Sequence, residues 1–218
     1  MEMVRHAIDR GVNYIDTAYP YHGYDFSKGG ASEPFVARAL KNGYREKVYL
    51  ATKLPCWLVE TREDMDRLLD EQLGRLETRC IDFYLLHALD KVSWKNMLEL
   101  GALDFLDRAI EAGKIRFAGF SFHDEIDLFR EIVDAYDWSF CQIQYYYMDE
   151  EYQAGTKGLA YAAARGLAVV AMEPLRGGTL VQGLPPDARK AFEQAHPDRT
   201  VVDWALHWLW KDPRVTMV

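Results

Sequence analysis

Gly11-Val12-Asn13-Tyr14-Ile15-Asp16-Thr17-Ala18-Tyr19-Pro20-Tyr21-His22-Gly23 is a short apolar run that stops on a carboxylate. Val12 to Ile15 reads as a buried strand closed by Asp16. Five positions further on, past the break that Pro20 imposes, stands the phenol of Tyr21. Polar chemistry at the carboxyl end of a strand is where α/β folds place their sites. An Asp-Thr pair at one strand end also serves as a helix cap or loop anchor. The reading therefore turns on what the other strand ends carry.

Outward from this stretch the chain alternates. Met1 to Arg10 has the pattern of an amphipathic helix, with Val4, Ala7 and Ile8 on one face. Ser32-Glu33-Pro34 opens a helix that closes near Gly43. Lys47 to Lys53 is a strand ending on an amine, and a helix from Thr61 or Arg62 follows. Asp82 to His87 is a strand ending on an imidazole. One helix then spans Met97 to Ile110 and stops at Gly113. Ile115 to Ser121 is a strand ending on a hydroxyl. A helix over about 124–136 leads to the strand Ser139 to Tyr145, and another, through Leu159 to Arg165, leads to Leu167 to Met172. The region from Gly183 to Pro186 reads as a surface loop. A last helix, about 200–211, precedes Val215 to Val218, the first half of a further buried strand.

Strands separated by helices imply right-handed crossovers and a parallel sheet. Seven such strands fit an eight-stranded (β/α)8 TIM barrel lacking its first strand and the end of its eighth strand and helix. The expectation is one partial barrel domain over 1–218, a fragment with two unpaired sheet edges. A doubly wound open sheet is the runner-up, disfavoured because no G-x-G-x-x-G follows a strand.

Bulk properties narrow the function classes. A net charge of -8 offers no basic stripe for nucleic acid. No apolar run reaches the length of a membrane span, and no signal peptide opens the chain. Cys56, Cys80 and Cys141 are scattered without metal-ligand spacing, which suits reduced, buried thiols in a cytoplasmic protein. No metal site is expected, and a metal-dependent barrel hydrolase is a weak third reading.

Taken together, Asp16 with Tyr21, Lys53, His87, Ser121, Gln142 and Met172 converge on one rim of such a barrel. Each alone has a plainer reading: Lys53 as a snorkelling charge, His87 as a hydrogen-bonded core residue. At ordered strand ends they make a coherent set. An ammonium held by Asp16 stabilises a neighbouring phenolate, so Tyr21 can give its proton to a developing alkoxide while His87 orients the carbonyl oxygen. Such a site reduces carbonyls once a hydride donor is present.

These residues resemble the tetrad of the aldo-keto reductase family. Asp16 stands in NYIDTA, Tyr21 in AYPYHG, Lys53 in YLATKL and His87 in YLLHAL, and the similarity extends over essentially the whole chain. The resemblance implies NAD(P)H-dependent reduction of small aldehydes or ketones, with NADP preferred. The family's 2′-phosphate contacts would lie beyond Val218. It also implies cofactor contacts at Asp16, Ser121, Gln142, Met172, Pro174, Leu175, Gly177 and Gly178. Phe122 replaces an Asn common in relatives, and Met-Glu-Pro-Leu-Arg-Gly-Gly replaces a Tyr-Ser-Pro-Leu pattern. Both variants are similar to a bacterial and archaeal subgroup, some of whose members carry a C-terminal 4Fe-4S extension. A different class stays open: a cofactor-sensing protein with little turnover, similar to potassium-channel β subunits. Trp57 and Tyr145 to Tyr147 are candidates for the substrate mouth, and Trp204 and Trp208 for helical core.

Overall fold

Strand and helix alternate from the first residues onward in the computed structural model, which describes Met1–Val218. The backbone gathers into two units, Met1–Ser121 and Phe122–Val218. The first holds α1 (Glu2–Asp9), β1 (Tyr14–Asp16), α2 (Ser32–Ala39), β2 (Tyr49–Leu54) and α3 (Arg62–Arg75). After these come β3 (Ile81–Leu89), α4 (Lys91–Glu99), α5 (Ala102–Glu111) and β4 (Ile115–Phe122), whose last residue opens the second unit. Strands β1 and β2 pair in parallel, as do β2 and β3, and β4 lies beside β3.

The helices form where the sequence supplies both an end signal and a buried stripe. Thr61 and Asp64 exchange capping bonds at the start of α3, with the Thr61 N–H 2.9 Å from Asp64 Oδ2. Met65, Leu68, Leu69 and Gln72 are its buried face. Asp90 caps α4 by accepting the Val92 and Ser93 N–H groups at 3.1 and 2.8 Å.

Side-chain alternation along the strands settles which residues share a face. Register pairs Tyr14 with Tyr49, Ala51 with Phe83 and Lys53 with Leu85. The Phe83 ring meets those of Tyr14, Tyr49 and Phe117 at centroid distances of 5.4, 5.8 and 5.1 Å. Counting on by twos from these aromatics reaches Asp16, Lys53, His87 and Ser121. Four of the expected site residues thus lie on one sheet face, at its carboxyl end. On the other face Leu50, Thr52, Tyr84 and Phe120 are buried.

At the amino end of the sheet, buried Asp82 ties the strands together. It accepts Arg45 Nη2 at 2.7 Å, the Leu50 N–H at 2.9 Å and Arg116 Nη1 at 3.0 Å. Asp82→Ala would strand the Leu50 donor and take the counter-charge from the partly buried Arg45, which keeps only the Val48 and Cys80 carbonyls. The expected cost is about 3 kcal/mol, read as a lower urea midpoint with an unchanged m-value.

The second unit runs α6 (Ile126–Ala135), β5 (Phe140–Gln144), α7 (Gly155–Ala164), β6 (Ala168–Met172), α8 (Thr179–Gln182), α9 (Pro186–Ala195) and α10 (Val201–Trp210). Here β5 and β6 pair in parallel, with Gln142 opposite Val170 and Gln144 opposite Met172.

Four expectations need correcting. The first strand is only Tyr14–Asp16 and half-buried, with Val12 exposed, because the α1 turn ends at Gly11 and Val12 N–H still bonds back to Ala7. The single helix expected over Met97 to Ile110 is two, broken where Gly101 takes a left-handed φ of 75°. Pro186 is not loop but the first residue of α9, where its missing N–H costs nothing. Val215 to Val218 does not form a full strand. Thr216 and Met217 donate to the Val169 carbonyl at 2.9 and 3.2 Å, and Met217 makes one parallel bridge with Val170.

Candidate active site

Lys53 is the centre of the site. Only 2% of its side chain is exposed, and its ammonium makes three contacts. It donates to Asp16 Oδ1 at 2.7 Å, to the Thr17 carbonyl at 2.9 Å and to the Tyr21 hydroxyl at 3.4 Å. A buried ammonium needs such partners, because three unmet donors in an apolar setting would cost several kcal/mol. The same ammonium sits 4.8 Å from the Tyr21 ring centroid. Lys53 thus donates to the phenol oxygen, which leaves the phenolic proton free to point elsewhere.

Tyr21 reaches this position from an exposed turn, and 40% of the residue is accessible. Its ring meets the His87 ring edge-on at 6.0 Å. The Trp57 ring also meets His87, tilted at 5.2 Å, and its Nε1–H donates to the Phe26 carbonyl at 2.9 Å. Asp16, Tyr21, Lys53 and His87 are therefore brought together. A phenol backed by a cation and flanked by an imidazole can donate a proton to an oxygen that is gaining charge.

Ser121 is buried and already engaged: its Oγ accepts the Ala88 N–H at 2.7 Å. Ala88 has a φ of 54°, so this bond pins a left-handed residue directly after His87. Ser121→Ala is expected to cost about 1–2 kcal/mol through the stranded amide. Thermal melts of the variant against the parent protein would show it. Phe122 points to the opposite face, buried against Phe129 at 5.2 Å, so it fills core and lines no site.

In the second unit Gln142, Gln144 and Met172 share one face of the β5–β6 pair, with Gln142 buried and Met172 half-buried at the strand's end. Past Met172 the chain turns through Pro174 and Leu175. Arg176, Gly177 and Gly178 then have φ values of 49°, 63° and 91°. Nothing lies within 4 Å of where a Cβ would stand on either glycine. The Arg176 and Gly178 N–H groups already donate to the Glu173 and Leu175 carbonyls at 2.9 Å, so what this uncrowded turn offers an anion is the exposed Arg176 guanidinium.

A profile of the Aldo/keto reductase family matches residues 1–218. The chain belongs to the aldo/keto reductase family. The aldo-keto reductase yakc (NADP(+)) of Schizosaccharomyces pombe is 29% identical over 191 residues, covering 82% of this chain and 52% of that protein. The aldo-keto reductase AKR11C1 of Bacillus halodurans, in its holo form, superposes with a TM-score of 0.78 at 23% identity, over 100% of this chain and 74% of that one. An aldo-keto reductase from Klebsiella pneumoniae in complex with NADPH gives a TM-score of 0.76 at 26% identity, over 99% and 72%. The fold is thus that of the aldo-keto reductase (β/α)8 barrels. The chain spans about half the length of the curated relatives it matches.

Other residues of this aldo/keto reductase chain play plainer parts. Burial pushes the Cys56 thiol up to about 12 and raises that of Cys141, so both are poor nucleophiles, while Cys80 is half-buried rather than buried. Trp204 and Trp208 are half-buried and line a surface cavity with Tyr147 and Phe192, not helical core. No three His, Cys, Asp or Glu side chains come together as a metal site, and no helix is long and apolar enough to cross a membrane. Two parts of the site were not anticipated. The Thr17 carbonyl is a third ligand of the Lys53 ammonium, which no side-chain pattern reports. Gln72 donates to the Lys53 carbonyl at 3.0 Å, and its signal is a single polar residue within the buried stripe of α3.

Proposed function

We propose that this chain is the catalytic part of an NADPH-dependent reductase of small aldehydes or ketones, acting as one barrel domain. The observation that supports this most is the Lys53 ammonium, bonded at once to Asp16 and to the Tyr21 hydroxyl. Tyr21 is the proton donor to the carbonyl oxygen. Lys53 stabilises the phenolate left behind, and Asp16 pairs with the buried ammonium and aims it. His87 borders the same space and orients the substrate oxygen.

NADPH, when bound, supplies the hydride. Each unit offers residues that suit such a cofactor: the first has the polar groups of Ser121 and Asp16, and the second has the amide of Gln142. Met172, Pro174 and Leu175 offer an apolar surface for a ring. The exposed Arg176 guanidinium, with room left beside it by Gly177 and Gly178, suits phosphates. The relatives named for NADP(+) and bound to NADPH support this choice of cofactor. Three free cysteines accord with a cytoplasmic setting.

The test is a titration with NADPH followed by a panel of aldehydes and ketones. The expected result is cofactor oxidation matched mole for mole by alcohol. Saturable NADPH binding with no oxidation by any carbonyl would favour the cofactor-sensing alternative.

A further inference from the structure

Glu33 is fully buried, yet nothing in the proton-transfer scheme uses it. Its Oε1 accepts Thr52 Oγ1 at 2.7 Å and Gln72 Nε2 at 2.8 Å, and its Oε2 accepts Arg75 Nε at 2.7 Å. From this carboxylate two arms diverge. Along one, Gln72 Nε2 also donates to the Lys53 carbonyl at 3.0 Å, while Gln72 Oε1 accepts the Tyr84 hydroxyl at 2.8 Å. Along the other, Arg75 Nη2 donates to the Gly30 carbonyl, and the guanidinium lies 5.3 Å from the Tyr19 ring.

Gly30 is where the turn carrying Tyr21 closes. Its N–H donates to the Tyr19 carbonyl at 2.8 Å, and Ser32 N–H donates to the Tyr21 carbonyl at 3.1 Å. A Cβ on Gly30 would stand 2.1 Å from the Tyr21 carbonyl oxygen, so the two limbs of the turn touch there. Thr17 Oγ1 donates to Ser32 Oγ at 2.8 Å, fastening the same turn to the end of β1. The Tyr21 side chain is substantially exposed, so its backbone must fix where its hydroxyl stands.

We infer that Glu33, Gln72 and Arg75 form a buried latch that sets the distance between the Tyr21 turn and Lys53, and that all three are positioning residues for proton transfer. This rests on the reading of Tyr21 as the acid. A buried ion pair is a poor route to stability, since apolar replacements often do as well. Charge-assisted, directional bonds from one carboxylate to Gln72 and Arg75, which in turn hold the Lys53 and Gly30 carbonyls, instead fix geometry. A misplacement of about 1 Å in a reacting group costs on the order of 100-fold in rate.

The decisive variants are Arg75→Lys, which keeps the charge but cannot span Glu33 and Gly30 together, and Glu33→Gln. Each is made alone and combined with Tyr21→Phe. The single variants are expected to lose about 10–100-fold in kcat, with KM and cofactor Kd nearly unchanged and a larger solvent deuterium isotope effect on kcat. In the Tyr21→Phe background the same changes should cost little more, because the group they position is gone. Should Glu33→Gln fail to fold, Arg75→Lys, on a partly exposed residue, decides alone. Unchanged kcat in Arg75→Lys, or the same fractional loss with and without the phenol, would overturn the latch while leaving Tyr21 in place. Unchanged kcat in Tyr21→Phe itself would overturn the reading of the acid, and the latch with it.

Discussion

Asp16→Asn is expected to destabilise the protein and to suppress turnover by about two to three orders of magnitude. The structural cause is the burial of Lys53, whose side chain is 2% exposed against 31% for Asp16. Removing the carboxylate leaves the buried ammonium with neutral acceptors only, the Thr17 carbonyl and the Tyr21 hydroxyl, for which the expected cost is about 3 kcal/mol. That is the lower part of the range for a broken buried pair, because Asp16 already meets some water. Lys53→Met should be milder for stability, since the remaining carboxylate can hydrate, yet as severe for catalysis. The cation that favours the phenolate would be lost. The double variant should fall well short of the sum, with a coupling on the order of 1–3 kcal/mol. Denaturant midpoints and kcat for the four proteins of this cycle give the answer, and strictly additive losses would mean that the pair does not act as a unit.

Tyr21→Phe carries the second large effect. The phenolic proton matters only once charge develops on the carbonyl oxygen, so its loss should lower kcat and kcat/KM together, by about 10²–10⁴-fold. Cofactor affinity should stay near that of the parent protein. The folded state should barely notice, because Tyr21 is 40% exposed and accepts one long bond from Lys53. A variant with parent-like kcat would remove Tyr21 from the role of acid. A variant that also lost cofactor binding would make it a binding residue instead.

Much of this was legible in the residues because the chemistry sits at strand ends. Period-two alternation carries Asp16, Lys53, His87 and Ser121 to one face once the register is fixed. Tyr21 was legible for a different reason, its fixed spacing from Asp16 across a proline break. What the sequence concealed depends on backbone groups or long-range geometry. The Thr17 carbonyl on Lys53 and the Gly30 carbonyl on Arg75 involve main-chain atoms that no residue pattern marks. Ser32-Glu33 looked like a helix start, and it is one. That the Glu33 carboxylate also serves Thr52, Gln72 and Arg75 follows only from how α2 and α3 pack. Element ends moved where a local conformation overrode periodicity, as at Gly101. Val215 to Val218 looked like buried strand by composition, but only Thr216 and Met217 find partners on β6.

The central claim is that one phenol, charged from behind by Lys53 and Asp16, delivers the proton in carbonyl reduction. Its most direct test is a single turnover: protein saturated with NADPH is mixed with an excess of a reactive aldehyde, and nicotinamide absorbance is followed in the parent and in Tyr21→Phe. The account predicts a rapid exponential loss in the parent. In the variant it predicts a loss slower by about 10²–10⁴-fold, from the same bound amount of cofactor. Equal rates in the two proteins, with cofactor bound in both, would contradict it.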